Sequence, residues 1–150
     1  MRLLFFFVLN FSALALGSYL MGEGPMGSWY TNLNKAPWTP PGWVFGTSWT
    51  LIMVCLSIFM NKAVQIEALR KRILWIYVIQ LVLNILWNPL FFDLHWMELA
   101  LIEIILLILV VAFMAIKAKP HLPQFTWLLT PYVLWLSIAI TLNAYALQNN

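Results

Sequence analysis

The sequence predicts an all-α fold, an integral membrane bundle of five transmembrane helices in one domain spanning residues 1–150. Three observations predict it. Only 9% of residues are charged and 63% are hydrophobic, with mean hydropathy +0.87, whereas a soluble domain carries about 25% charge. Transmembrane barrels alternate apolar and polar residues and are far less apolar, which leaves helices. Five runs of about 20 apolar residues, each long enough to cross a bilayer, follow one another along the chain.

The runs are Leu3–Met21, Pro41–Met60, Ile73–Phe92, Met97–Ile116 and Phe125–Leu147, and residues 22–40 form a loop capping the bundle. In the first run, Arg2, an apolar stretch and Ala13-Leu14-Ala15 resemble a cleavable signal peptide. The run is long for that role and carries Asn10 and Ser12, so it reads as a retained helix. Ala13 and Gly17 form a small-xxx-small pair on it, a pattern of helix dimerisation. The second helix begins near Pro40, since Pro40 and Pro41 belong outside a helix or in its first turn, with Thr39 as the expected N-cap.

The basic residues set the topology. Arg2, Lys62, Arg70, Lys71, Arg72, Lys117 and Lys119 fall on one side, and only Lys35 on the other. Seven against one places the N-terminus inside and the C-terminus outside, with residues 22–40 facing outward. Because the charges sit at helix ends, the net charge of +3 marks topology and not a nucleic-acid surface. Cys55 is the single cysteine, so no disulfide or cysteine-based metal site forms. His95 and His121 fall in loops on opposite faces and share no metal.

Residues 29–49 stand apart. This stretch holds four of the nine tryptophans and three of the eight prolines, so it is a stiff aromatic connection and not a flexible linker. Trp29, Trp38, Trp43, Trp75, Trp87, Trp96 and Trp127 lie near helix ends, where aromatic belts form. Trp49 and Trp135 lie within spans, where an indole N–H finds no partner in lipid, and they either pack or line a pocket. At about 1.5 Å rise per residue, Trp49, Asn84 and Trp135 all fall in the outer half of the membrane or near its midplane.

Asn84, Trp87 and Asn88 share one helix face. Trp135, Ala139, Leu142 and Asn143 share another, which Tyr132 extends inward. Asn84 and Asn88 either bond neighbouring helices or contact a ligand. Glu98 suits the N-terminus of the fourth helix. Glu103 is deeper, an intramembrane carboxyl that is either a functional group or a hydrogen-bonded packing residue. No hydrolase triad, zinc motif or phosphate loop is present.

Four blocks carry a resemblance to a known family. The first is Trp29-Tyr30, Leu33, Lys35-Ala36-Pro37-Trp38-Thr39-Pro40-Pro41, Phe45 and Trp49. The second is Leu83-Asn84, Trp87, Pro89 and Phe91-Phe92; the third is Ala100-Leu101 with Glu103. The fourth is Pro131-Tyr132-Val133-Leu134-Trp135, with Ala139 and Leu142-Asn143. In order and spacing these blocks resemble the TspO/MBR family of bacterial tryptophan-rich sensory proteins and mitochondrial translocator proteins.

The resemblance implies a five-helix bundle whose first loop caps an outer-half cavity binding porphyrins and related heme-type tetrapyrroles. It implies light-dependent porphyrin breakdown at two tryptophans matching Trp49 and Trp135, with no metal and no required cofactor. Ligand-lining positions match Tyr30, Pro40, Asn84, Trp87, Ala139, Leu142 and Asn143; Phe45, Asn88 and Tyr132 are added as neighbours on the same faces. Isoquinoline and benzodiazepine-type drugs are further ligands that the resemblance implies, and a homodimer is a further state. The cholesterol pattern of the mitochondrial C-terminus needs a basic residue after a tyrosine, and Tyr145 here is followed by Ala-Leu-Gln-Asn-Asn. The expected setting is a bacterial cell membrane, because the N-terminus is not Arg- and Ser-rich. The alternative function is a carrier or sensor of lipid-like or other small hydrophobic metabolites.

Overall fold

A computed structural model describes all residues, Met1–Asn150. It is entirely helical, and five of its helices are long and apolar enough to cross a membrane. These are α1 (Arg2–Leu20), α3 (Gly42–Ala63), α4 (Glu67–Asn88), α5 (Met97–Ala118) and α7 (Thr130–Asn149). Two short helices lie between them, α2 (Ser28–Asn32) in the first connection and α6 (Pro123–Thr126) before α7.

The five spans close into a ring in the order α1, α4, α5, α7, α3. Each long helix buries one stripe and leaves the rest of its apolar surface to lipid. On α1 the stripe is Phe6, Asn10, Ala13 and Gly17; on α5 it runs from Ala100 through Glu103, Leu107 and Val111 to Ala118. Both stripes follow helical spacing. Leu4, Phe5, Val8, Leu109, Phe113 and Ile116 point outward, as residues facing lipid tails do.

Interior contacts in a membrane gain little from water exclusion, so polar bonds and close packing fix the bundle. Asn10, fully buried on α1, donates to Ser57 Oγ of α3 (2.8 Å) and accepts from Tyr77 OH of α4 (2.6 Å). Gln80 Nε2 and Asn84 Nδ2 of α4 both donate to Tyr132 OH of α7, at 2.8 and 2.6 Å.

Three expectations are corrected. Thr39 does not cap the second helix: Pro41 is the N-cap residue, and Thr39 Oγ1 donates instead to Ala36 O (2.7 Å). A cap at Thr39 would need helical backbone at Pro40, which the following Pro41 disfavours, and Pro41 itself is extended, so the helix starts at Gly42. Helix α4 begins at Glu67, six residues before Ile73, because Arg70, Lys71 and Arg72 continue the helix through the interface instead of ending it. Ala13 and Gly17 are buried within the bundle, and a Cβ on Gly17 would lie 2.6 Å from Asn88 Nδ2 of α4. The small pair therefore admits α4 of the same chain and is not a free dimer face.

The third predicted span continues past Asn88 as a π-helical turn, Pro89–Asp93. Pro89 disrupts α-helical pairing, and the wider turn restores it with Leu94 N donating to Pro89 O (2.9 Å). The fifth span begins as α6 and a 3-10 turn, Trp127–Leu129, before α7.

Candidate functional site

The end of the ring that carries the first connection holds, between α3, α4 and α7, a small cavity beneath that connection. Its walls are mainly aromatic and aliphatic: Phe45 from α3, Trp87 from α4, Phe91 and Phe92 from the π turn, and Ala139, Leu142 and Asn143 from α7. Its lid is the first connection, through Tyr30, Leu33, Lys35, Ala36 and Thr39. The cavity is about 50 Å³, room for a water or two, whereas ligand pockets run to about 300–1,000 Å³. At that volume the cavity as it stands has no room for a large ligand.

The walls are set by aromatic contacts. Trp87 stacks on Phe91 at 5.2 Å, and Phe92 meets Trp87, Phe91 and Tyr30 at 5.1–5.7 Å. Such offset and edge-on pairs each add about 0.5–1.5 kcal/mol beyond burial. The polar feature of the wall is Asn143. Oriented to suit both neighbours, its amide donates to Met97 O (3.0 Å) and accepts from Trp87 Nε1 (3.3 Å).

The lid is fastened at its own end and to α7. Lys35 Nζ donates to Tyr30 O (2.9 Å) and Thr31 O (3.1 Å), and lies 4.8 Å from the Tyr30 ring centre. Burial raises the Tyr30 phenol above its ordinary value, so it stays a neutral hydrogen-bonding group. Trp38 Nε1 donates to Thr141 Oγ1 (3.2 Å), and its ring meets Tyr145 edge-on at 5.4 Å. Asn34 N donates to Asn150 Oδ1 at 2.8 Å.

Of the residues singled out from sequence, Tyr30, Phe45, Trp87, Ala139, Leu142 and Asn143 line this cavity together. Pro40 sits beside the lining residue Thr39 but is not part of the wall. Asn84 is buried beneath, bonded to Tyr132. Asn88 is turned toward Gly17 of α1 and reaches Asn84 O at 3.4 Å. Trp49 lies edge-on to Tyr132 at 5.9 Å, and Trp135 edge-on to Phe45 at 5.1 Å. Neither indole borders the small cavity, so Phe45 stands between it and Trp135. Trp135 instead borders a membrane-facing groove of about 600 Å³ between α3 and α7, with Ser48, Leu51, Trp127, Leu134 and Ile138.

Leu33, Lys35, Ala36, Thr39, Phe91 and Phe92, which carry the resemblance but were not assigned to the site, also line the cavity, as does Ala146. Lys35 carried a usable signal as the lone basic residue on its side. The belt reading fits Trp38, Trp43, Trp75, Trp96 and Trp127, all more than half exposed on the bundle surface.

The family model for TspO/MBR matches residues 5–148. The chain belongs to the TspO/MBR family. It is 34% identical over 125 residues to a tryptophan-rich sensory protein of Cereibacter sphaeroides, covering 81% of this chain and 77% of that one. It is 34% identical over 138 residues to the translocator protein of Ovis aries, covering 88% and 79%. A tryptophan-rich protein TspO of Chlorobaculum tepidum is 32% identical over 130 residues, covering 84% and 82%. Like the five apolar helices, family membership makes this an integral membrane protein.

Proposed function

We propose that the protein is a membrane receptor for tetrapyrroles, taking a protoporphyrin-like ligand into the outer cavity when the lid opens. The observation that carries this reading is the cavity wall itself. Phe45, Trp87, Phe91 and Phe92 offer ring faces to a flat apolar macrocycle, while Asn143 and Lys35 stand ready for its polar, carboxylate-bearing edge. Pro40, Asn84, Asn88 and Tyr132 then form the lid margin and the floor. The reading needs no metal and no cofactor.

Light-dependent breakdown is part of the proposal. The excited porphyrin takes one electron from Trp49 or Trp135, leaving an indole radical cation and a porphyrin radical anion. Dioxygen adds across a meso carbon–carbon bond of that anion, the electron returns to the indole, and the dioxetane breaks its O–O and C–C bonds into two carbonyls, opening the ring. Two indoles within the spans, Trp49 edge-on to Tyr132 and Trp135 edge-on to Phe45 of the cavity wall, support these as the donors. Isoquinoline and benzodiazepine-type drugs compete for the same walls. The proposed setting is a bacterial cell membrane with the N-terminus inside, supported by seven basic residues at one end of the bundle.

The test is a protoporphyrin titration of purified protein, following tryptophan quenching and the porphyrin absorbance band in the dark and then under light. Saturable dark binding, followed by band loss slowed in Trp49→Phe/Trp135→Phe, is the expected result. Absence of saturable binding would overturn the reading. A second reading, a carrier of lipid-like metabolites, is favoured by the groove between α3 and α7, which opens toward lipid. It predicts uptake into vesicles without spectral change.

A further inference from the structure

Glu103 takes no part in the cavity. It lies on the buried stripe of α5, 6% exposed, and neither carboxyl oxygen has a hydrogen-bond partner. One other buried side-chain atom lacks a partner, Gln80 Oε1 on α4. The two are at one depth. The Asn143 amide joins Trp87 Nε1 to Met97 O, so those residues of α4 and α5 are level. Counting inward at about 1.5 Å per residue, Gln80 lies roughly 10 Å below Trp87 and Glu103 roughly 9 Å below Met97.

Tyr132 OH reaches the same level from α7, which packs on α5. Its oxygen accepts from both Gln80 and Asn84, which fills its two acceptor positions and leaves its own O–H to be donated elsewhere. The inventory decides the state of the carboxyl. An ionised carboxylate only accepts, and it would share this level with a second bare acceptor, Gln80 Oε1. No lysine, arginine or histidine is buried anywhere in the bundle to balance it. The buried titratable groups on the helices packed against α5 are phenols, Tyr77 of α4 and Tyr132 of α7; Glu67, Arg70, Lys71 and Arg72 of α4 and Asp93 of the π turn are exposed, and Tyr145 of α7 is half-buried near the opposite end. Tyr77 already donates to Asn10. A neutral acid supplies one O–H for Gln80 Oε1 and, through one bridging water, one carbonyl for the Tyr132 O–H, which makes no direct bond to it.

We propose that Glu103, Gln80 and Tyr132 form a buried proton-binding site, with the proton resident on the Glu103 carboxyl. Glu103 is then a positioning residue. It holds the Gln80 amide, and through it the Tyr132 hydroxyl, whose ring lies edge-on to Trp49. This does not depend on which ligand fills the cavity above.

Infrared difference spectroscopy of the full chain in lipid nanodiscs tests it. At neutral pH, wild type minus Glu103→Gln is expected to show one carboxylic-acid C=O band. Glu103→Asp is expected to shift that band, and the exposed Glu67→Gln to leave it untouched. Carboxylate stretches in place of the acid band would overturn the proposal. Should Glu103→Gln not fold, wild type alone suffices. Titrated upward in pH, its acid band is expected to outlast ionisation of Glu23, Glu67, Asp93 and Glu98, the other four acids of the chain. Loss of all five together would refute the site.

Discussion

Tyr132→Phe removes one oxygen and keeps the ring. The residue is 1% exposed and its edge-on contact with Trp49 survives, so packing changes little. What is lost is the acceptor for Gln80 Nε2 and Asn84 Nδ2. In soluble proteins each buried donor left without a partner costs about 1–3 kcal/mol. In a bilayer the unfolded helices find other partners, and interhelical bonds average about 0.6 and reach about 1.7 kcal/mol. Two bonds therefore predict a loss of about 1–3 kcal/mol. Reversible unfolding in mixed micelles of increasing SDS fraction measures it. The triple variant Gln80→Leu/Asn84→Leu/Tyr132→Phe should recover part of the loss, because no orphan donor remains. A change below about 0.5 kcal/mol for Tyr132→Phe, the scatter of ordinary surface substitutions, would refute the claim that this cluster joins α4 to α7.

Asn10→Leu should destabilise by a similar 1–3 kcal/mol in the same assay, since it strips partners from both Ser57 and Tyr77. Gly17→Val should cost about 1–3 kcal/mol by overpacking against Asn88, and Asn88→Ala should relieve part of it; additive losses would argue against that contact. Trp38→Phe releases the lid from Thr141, so protoporphyrin association followed by stopped-flow quenching should speed up several-fold with stability within about 0.5 kcal/mol of wild type. Trp49→Phe/Trp135→Phe should slow light-dependent band loss at least tenfold while dark affinity, from the titration curve, falls less.

The spans were legible because bilayer thickness fixes their length and lipid fixes their composition. Their ends were less so. Arg70 to Arg72 mark the membrane border but not the helix border, as charged residues continue a helix wherever its backbone pairs with itself. The proline pair announced α3, yet Pro41 disfavours helical backbone at Pro40, so the helix starts beyond the pair and leaves Thr39 outside it. At the site, the shared face of Asn84, Trp87 and Asn88 was readable from spacing. Which neighbour each meets was not, because that follows from the ring order. Asn84 meets Tyr132 and Trp87 meets Asn143, both on α7, while Asn88 meets Gly17 on α1. Phe91 and Phe92 enter the wall because Pro89 turns the chain there, a redirection no periodicity shows.

Tyr77, Gln80 and Asn84 are spaced by three and four residues along α4 and bond side chains on α1 and α7, the first and last spans. During synthesis α7 leaves the ribosome last. Until it does, Gln80 and Asn84 hold their amides among partners that do not include a phenol. A bundle of the first four spans is thus chemically distinguishable from one of five in the middle of the bilayer, where two amides of α4 still lack their phenol acceptor. Arrival of Tyr132 gives both amides their acceptor, so α4 is tied to α7 only once the fifth span is in place.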